Sequence, residues 1–529
     1  MILESLIVTV GIIGILLVLF FDWMRPGFTL LCGAILFMAT GVITPDELLE
    51  GFSNREMITI AMLFLVGEGV RQAGALKHLM KIILPKGTGR VGWLLLKMLP
   101  FITSLSMILN NTAVVIIFAP IVKRWAERIG ISATKFLIPL SYATILGGMC
   151  TLIGTSTNMV VNGLMTKAGY RGFNMFELGK VGGIIAVVGL IYICIFANRL
   201  LPDAAGRRRR RQDPTSADEE EIVVPERGKE WTVEVLLMSR FPGMGRRVSE
   251  FDFLRHYGAR IVSIKRNGVE ITHPIQQHVM GSGDTLRLAT DEGFVRTWRD
   301  SSAFYILSDV DEEDEPPLTP MLKFRRWIGL ALVLMMVVGA TLGDKMSEFS
   351  NGVRIDMFML SSVVVVTMAL LRLFPAKRYT KYITWDILIA IAAAFAISRA
   401  MSNSGMNEII ANAILSFPHG FGPYGILALL FIVTMLFSEI ITNSAAVAIC
   451  FPVAQALSQQ MGINPMPLFV AICMAASSSF SSPIGYQTNL IVQGVGGYKF
   501  KDYIRIGIWL NIISLTISVT LIPRIWSFY

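Results

Sequence analysis

Two long apolar stretches of this chain are interrupted by the same kind of small polar residues, in the same order and in register. LNNTAVVIIFAP surrounds Asn110, Asn111 and Thr112, and ITNSAAVAICFP surrounds Thr442, Asn443 and Ser444. Farther along, TLIGTSTNMVV closes the first pattern and SPIGYQTNLIV the second. Asn111 to Asn443 and Pro120 to Pro452 each span 332 positions, and Gly154 to Gly485 and Asn158 to Asn489 each span 331. Unrelated segments do not hold one register over four anchors, so the chain is read as two related halves. Amides and hydroxyls recurring inside apolar sequence, once per half, point to a midplane binding site in a repeat-built transporter.

Composition fits that reading. Of 529 residues, 53% are hydrophobic and 16% are charged, against about 25% charged in an average soluble protein. An α-helical polytopic membrane protein is expected, in contact with lipid and not with nucleic acid, although the net charge is +9. Cys32, Cys150, Cys194, Cys450 and Cys473 all lie in apolar runs without a CxxC pair. They read as small hydrophobes rather than disulfide partners or metal ligands. The run from Ile7 to Phe21 lacks a basic flank and an A-x-A site and is expected to stay as a first helix.

Apolar segments near 4–22, 27–44 and 57–74 reach the length of about 20 residues that spans a bilayer. Then come 90–122, interrupted at 110–112, 135–165, broken at 154–158, and 178–200. The second half repeats the order: 326–344, 355–374, 384–402, 423–457 interrupted at 442–444, 466–496 broken at 485–489, and 505–526. If each interrupted run is a re-entrant hairpin, each half crosses five times and the two halves form an inverted repeat. Basic residues test the orientation. Arg25, Lys77, Lys81, Lys86, Arg90, Lys123, Arg124, Arg128, Arg325, Arg326, Lys377, Arg378, Lys381, Lys499, Lys501 and Arg505 fall in the predicted inner turns. Only Arg55, Lys167, Arg171, Lys345 and Arg354 fall in the outer ones. Positive residues gather on the cytoplasmic side, so a plasma-membrane protein with both termini outside is predicted.

The first repeat is assigned to 1–200 and the second to 323–529, with linkers at 201–225 and 301–322 around a domain at 226–300. Arg207 to Arg211 is basic and suits the inner leaflet, whereas Asp213 to Glu221 and Asp309 to Glu315, before Pro316-Pro317, are acidic. Between them TVEVLLM, ARIVSIKR and DTLRLAT alternate as strands, and VSEFDFLRHYG reads as a short helix ending at Gly258. Gly281 to Asp284 reads as the turn before the last strand. A small α+β cytoplasmic domain is predicted.

The interruptions supply what small ions need. Irregular backbone at membrane depth survives only beside protein or a wet cavity. Freed carbonyls and side-chain oxygens suit Na⁺, and half-helix N-termini suit an anion. Asn111 and Thr112 with Ser156, Thr157 and Asn158 form one predicted cluster, and Asn443 and Ser444 with Gln487, Thr488 and Asn489 the other. A lone hydroxyl such as Ser141 is read instead as helix-to-helix glue.

NNTAVV with TLIGTSTNMVV, and TNSAAV with SPIGYQTNLIVQGVGGY, resemble the divalent anion:sodium symporter family, the solute carrier 13-type permeases. The likeness covers nearly the whole chain. It implies an elevator-type, usually dimeric carrier with hairpins opening to opposite sides. In that family a Ser-Asn-Thr motif in each half contacts substrate and sodium, which maps onto Asn110-Asn111-Thr112 and Thr442-Asn443-Ser444. The chain departs from the motif at Asn110, Thr442 and Ser444, and its breaks read TSTN and YQTN where dicarboxylate members have Thr-Pro-Pro-Asn. That departure favours sulfate, with dicarboxylates next. The segment at 226–300 resembles a TrkA C-terminal domain, chiefly in GSGDTLRL, which implies a dimerising module or one bound by a small-molecule regulator.

Charges within spans are candidates by default. Glu68 and Arg399 are 331 positions apart, and Glu439 lies three residues before the second tip. Glu439 is the candidate group for a proton-coupled alternative. A channel gated by the domain is a further alternative, but Gly422-Pro423-Tyr424-Gly425, read as a loop, is an unduplicated approach to a potassium filter. No HExxH or GxSxG motif supports an enzyme, and no cofactor is expected beyond Na⁺ as coupling ion.

Overall fold

The computed structural model describes residues 2–21, 23–85, 87, 89–203, 231–237, 241–266, 269–271, 274–281, 283–290, 294, 298, 304–306, 320–347, 356–416 and 422–529. Arg207 to Arg211, both acidic linkers, Lys86 and Arg354 lie outside them.

The first half folds as helices Ile2–Phe20, Pro26–Ala39, Arg55–Gln72, Val91–Ser106, Asn111–Arg128, Leu137–Gly148, Ser156–Lys167 and Gly179–Leu200. Their counterparts are Pro320–Ser347, Met357–Leu370, Trp385–Asn403, Pro423–Ile440, Asn443–Met461, Met466–Ser477, Gln487–Gly496 and Phe500–Ile525. Leu3–Phe20, Gly179–Leu200, Trp385–Asn403, Pro423–Ile440 and Phe500–Ile525 are long and apolar enough to cross a membrane. Pro423 opens its helix with Gly422 as N-cap, so Tyr424 and Gly425 lie in a first turn and not in the predicted loop.

Hydropathy passed over two short helices. Ala75–Ile83 falls in the second predicted inner turn, and Met406–Leu415 in the loop between Ser402 and Pro423. Each follows a left-handed glycine, Gly74 at φ 71° and Gly405 at φ 69°, a conformation that costs other residues steric strain. Pro45–Glu50 is a third addition, opened by a capping box between Thr44 and Glu47.

The breaks also start earlier than expected. Helix stops at Gly148 and resumes at Ser156, and stops at Ser477 and resumes at Gln487. The irregular segments are therefore 149–155 and 478–486, and the polar quartets open the helices that follow. Local hydroxyl bonds explain the early exit, since they offer backbone groups an alternative to the helix. Thr151 Oγ1 bonds the Met107 carbonyl and also accepts from Gly154 N at 3.0 Å. In the second half Ser479 Oγ bonds the Ser438 carbonyl at 3.3 Å.

Leu137–Gly148 is buried at every position and Met466–Ser477 at all but its first. A helix apolar on all sides belongs inside, and these two place the breaks at the centre. Gly179–Leu200 and Phe500–Ile525 pack against each other outside them. Those helices leave Ile184, Val187, Ile191 and Ile195, and Ile504, Ile508 and Ile512, exposed as an apolar outer face. Lipid offers no hydrophobic gain for such packing, so close backbone approach does the holding. A Cβ at Gly182 or Gly507 would overlap the Met149 or Phe480 carbonyl of a break.

Between the halves lies a five-stranded sheet in the order β3-β2-β4-β1-β5, from β1 (Trp231–Leu237), β2 (Arg260–Arg266), β3 (Val269–Glu270), β4 (Thr285–Thr290) and β5 (Phe304–Ile306). All pairings are antiparallel. The Gly281 to Asp284 turn thus precedes the fourth strand, because β5 adds an edge beside β1. Helix Phe253–Tyr257 ends at Gly258, φ 69°. Val233, Val235 and Leu237 point into the sheet's own core with Phe241, Leu286 and Phe304. Leu236 alternates to the other face and joins the helical core. There it meets Gly494, and Thr285 Oγ1 donates to the Gly494 carbonyl at 3.4 Å.

Candidate functional site

Each hairpin bends through a short turn before its second helix, and the first residue of that helix is the matched asparagine. Asn110 Oδ1 accepts Thr112 N at 2.9 Å, and Thr442 Oγ1 accepts Ala445 N at 3.4 Å. Both residues are helix N-caps, so these two oxygens serve their own backbone, while Asn110 Nδ2 and the Thr442 hydroxyl proton are not used by the caps. Asn111 and Asn443 are held alike: Ser106 Oγ donates to Asn111 Oδ1 at 2.5 Å, and Ser438 Oγ to Asn443 Oδ1 at 2.8 Å. Neither serine was singled out by the sequence.

The break asparagines repeat the correspondence. Asn158 Nδ2 donates to the Gly148 carbonyl at 3.4 Å and the Thr151 carbonyl at 2.8 Å. Asn489 Nδ2 donates to the Ser479 and Ser482 carbonyls at 3.0 Å each. Both partner pairs are 331 positions apart. The oxygens differ. Asn489 Oδ1 accepts from Ser141 Oγ at 2.7 Å, while Asn158 Oδ1 is buried without a partner among the described residues. The first-half residue Ser141 has Ile472 as its counterpart at +331, so nothing equivalent reaches Asn158. Ser141 bridges helices, as read from the sequence, and does so at the break, since its Oγ also lies 2.9 Å from Thr488 Oγ1, a hydroxyl able to donate to it.

The halves interlock. The sequence grouped each tip with its own break, and the structure adds a bond network between the first tip and the second break. Asn111 Nδ2 donates to Tyr486 OH at 2.8 Å, and Thr112 Oγ1 to Gln487 Oε1 at 3.4 Å. Thr155 Oγ1 shares a hydrogen bond with Tyr486 OH at 3.0 Å and donates to Thr157 Oγ1 at 3.3 Å. Tyr486 and Thr155 were missed as site residues. Their only signal was the YQTN and TSTN quartets, whose first members were passed over. Asn443–Met461 in turn packs on Ser156–Lys167, although no hydrogen bond joins Asn443 or Ser444 to the first break among the described residues. The helices beginning at Ser156 and Gln487 carry no side-chain N-cap, unlike the hairpin helices. Their first amides are left to water or a ligand. A cleft lined by Phe64, Gly67, Leu109, Asn110, Ser156 and Met336 opens beside the first tip.

Of the charged candidates, Glu68 and Arg399 pair away from the asparagine clusters, whereas Glu439 joins the second break. Glu68 accepts from Arg71 Nε and Nη2 at 2.7 Å each on its own helix. Arg399 Nε donates to Glu47 Oε1 at 2.7 Å. Burial works to raise the Glu47 carboxyl, but hydrogen bonds from Arg399, Thr44 N and Asn403 outweigh it and hold it at about 2. Glu439 accepts from Ser481 N at 2.8 Å, Asn511 Nδ2 at 2.7 Å and Ser479 Oγ at 3.2 Å. Its carboxylate ties the second hairpin to the second break.

A multi-pass helical framework with neutral amides and hydroxyls gathered at central helix breaks defines a membrane transporter rather than an enzyme. A family model described as "Citrate transporter" matches residues 15–350, and one described as "Sodium:sulfate symporter transmembrane region" matches 312–529. The chain belongs to this citrate transporter family, among the solute carrier 13-type divalent anion:sodium symporters. It is similar to an uncharacterized transporter of Synechocystis sp., 28% identical over 97% of this chain and 96% of that protein. Sodium/sulfate cotransporter 1 of Chlamydomonas reinhardtii is 21% identical over 93% of this chain and 87% of its own. The sodium-dependent dicarboxylate transporter of Staphylococcus saprophyticus is 26% identical over 30% of this chain and 33% of its own.

Proposed function

We propose that this protein couples Na⁺ entry to symport of a small divalent anion, sulfate in the first place and a dicarboxylate next. The anion lies between the first hairpin tip and the second break, where Asn111 and Thr112 meet the uncapped helix starts at Gln487 and Ser156. Each helix start is worth about 0.3–1 kcal/mol to an anion, and more when partly buried. Asn443 and Ser444 close the site from the second tip. In this reading the repeat is inverted and the sheet domain faces the cytoplasm, which the placement of basic residues supports.

One observation carries the coupling half of this reading. Asn158 Oδ1 is a buried amide oxygen with no donor among the described residues. Leaving such a group unsatisfied costs about 1–3 kcal/mol, and a cation with hard oxygen ligands offsets that cost. Turning the amide over would set its oxygen against the Gly148 and Thr151 carbonyls, so the present orientation is the favourable one. Thr155, Ser156 and Thr157 are the neighbouring oxygen donors. In the second half Asn489, Thr488 and Gln487 occupy the matching positions, with Asn489 Oδ1 already served by Ser141.

A thermal-shift screen of sulfate, succinate and citrate, each with NaCl or with choline chloride, tests the reading. A ligand that binds only the folded state stabilises it by RT ln(1 + [L]/Kd). Sulfate is expected to raise the melting temperature in NaCl and much less in choline chloride. Equal shifts in both salts would remove sodium from the account. Glu439 supplies the contrast: with three hydrogen bonds committed to structure, Glu439→Gln should keep Na⁺-driven uptake within about threefold of wild type, the scale of one net hydrogen bond. Loss of uptake in that variant, with folding retained, would favour proton coupling.

A further inference from the structure

We propose that the Tyr486 phenol sets the size of the anion this carrier accepts, by filling the space between the first tip and the second break and offering its hydroxyl to the substrate. The inference rests on the anion-transport reading above. Its starting point is geometric. Tyr486 comes from the second half, yet its hydroxyl lies between two first-half side chains, Asn111 Nδ2 at 2.8 Å and Thr155 Oγ1 at 3.0 Å. One belongs to the hairpin tip and the other to the helix break, so this side chain touches both elements that flank the proposed anion position.

A phenol has one proton to donate and can accept two hydrogen bonds. Asn111 donates into the hydroxyl, because an amide nitrogen has no acceptor role. Asn111 is itself fixed, with Ser106 Oγ on Oδ1, so the direction of the network is set from the hairpin outward. The phenolic proton is then left for Thr155 Oγ1, a neutral acceptor that also has Thr157 Oγ1 within 3.3 Å. A hydrogen bond to an ionised acceptor is about twice as strong as one between neutral groups. When a divalent anion enters beside the Ser156 and Gln487 helix starts, the hydroxyl turns from Thr155 to the anion, and Asn111 keeps it aimed. Residue 486 stands in the extended conformation before its helix (φ −136°, ψ 131°) and offers that helix no side-chain cap. Its side chain is therefore not spent on local backbone structure.

Size selection follows from the ring. A compact tetrahedral anion needs a short gap between the two helix starts. A four-carbon dicarboxylate needs its two carboxylates held well apart, and a rigid ring anchored at both ends of the gap obstructs that span. Removing the hydroxyl and removing the ring should consequently have different effects.

Two variants and one cycle test this. Uptake of labelled sulfate into proteoliposomes, with succinate as competitor, is measured for wild type, Tyr486→Phe and Tyr486→Ala. Tyr486→Phe keeps the ring and should raise the KM for sulfate tenfold or more, the loss of a hydrogen bond to a charged group, while succinate still competes poorly. Tyr486→Ala should let succinate compete at concentrations at least tenfold lower than in wild type. Wild-type KM for sulfate in Tyr486→Phe, together with unchanged competition in Tyr486→Ala, would overturn the proposal. A double-mutant cycle of Asn111→Ala with Tyr486→Phe, read by thermal unfolding, needs no transport. Its combined loss should be smaller than the sum of the single losses, and additive losses would overturn the link whatever the vesicles show.

Discussion

Alanine in place of Asn111 is expected to abolish anion uptake while the carrier still folds and inserts. Asn111 is 3% exposed and joins Ser106 of its own hairpin to Tyr486 of the other half. Losing it removes an amide beside the proposed anion and releases the phenol. Hydrogen bonds to charged groups are worth about 1.5–3 kcal/mol each, and about 1.4 kcal/mol is tenfold in affinity. Two such losses reduce transport by about a hundredfold at the least and by on the order of ten-thousandfold at the upper end. Asn443→Ala should behave alike, since Asn443 holds the matched place under Ser438. Size-exclusion elution of the detergent-solubilised variants checks folding, and uptake in proteoliposomes checks function. Near wild-type uptake in either variant would contradict the two-tip site.

The second large effect concerns Gly485. Any Cβ there would overlap Ser479 Oγ and the Ser438 carbonyl, and would stand 3.2 Å from Glu439 Cα. The second break lies directly on the backbone of the second hairpin, so a side chain can be accommodated only by parting the two. Gly485→Val should yield no monodisperse protein, because overpacking in an interior already costs about 1–3 kcal/mol where neighbours can move, and here two of the contacts are backbone. Gly183→Ala is the control: nothing lies within 4 Å of the added methyl on that helix, and its elution should match wild type. Normal yield of Gly485→Val would mean the tip and the break are not in contact.

Much of this was legible in the residues, and the limits are physical. Hydropathy located the long helices to within a few positions, because apolar run length is what a bilayer demands. The hairpin and break asparagines were visible because they recur in register. The start of each break was not: in the first, Met149 to Ile153 continue a mostly apolar run, and in both the helix ends beside hydroxyl bonds that composition does not encode. Tyr486 was hidden for another reason. Its partners, Asn111 and Thr155, lie 375 and 331 positions away in sequence, and a single aromatic beside a polar quartet looks like packing. Ser141 shows the same limit from the other side: one hydroxyl in an apolar helix is most often glue, and only the fold reveals that it satisfies Asn489 and leaves Asn158 open. Glu439 stood out as an ionisable group at membrane depth, and only the fold reveals its donors Ser481 N, Asn511 Nδ2 and Ser479 Oγ.

The central claim is that anion movement is driven by sodium through these breaks. The direct measurement is sulfate uptake into proteoliposomes under an inward Na⁺ gradient at equal pH, and under an inward proton gradient without Na⁺, for wild type and Glu439→Gln. The account predicts uptake under the Na⁺ gradient in both proteins and none above background under the proton gradient alone. Uptake that ignores Na⁺, follows the pH gradient and disappears in Glu439→Gln would contradict it.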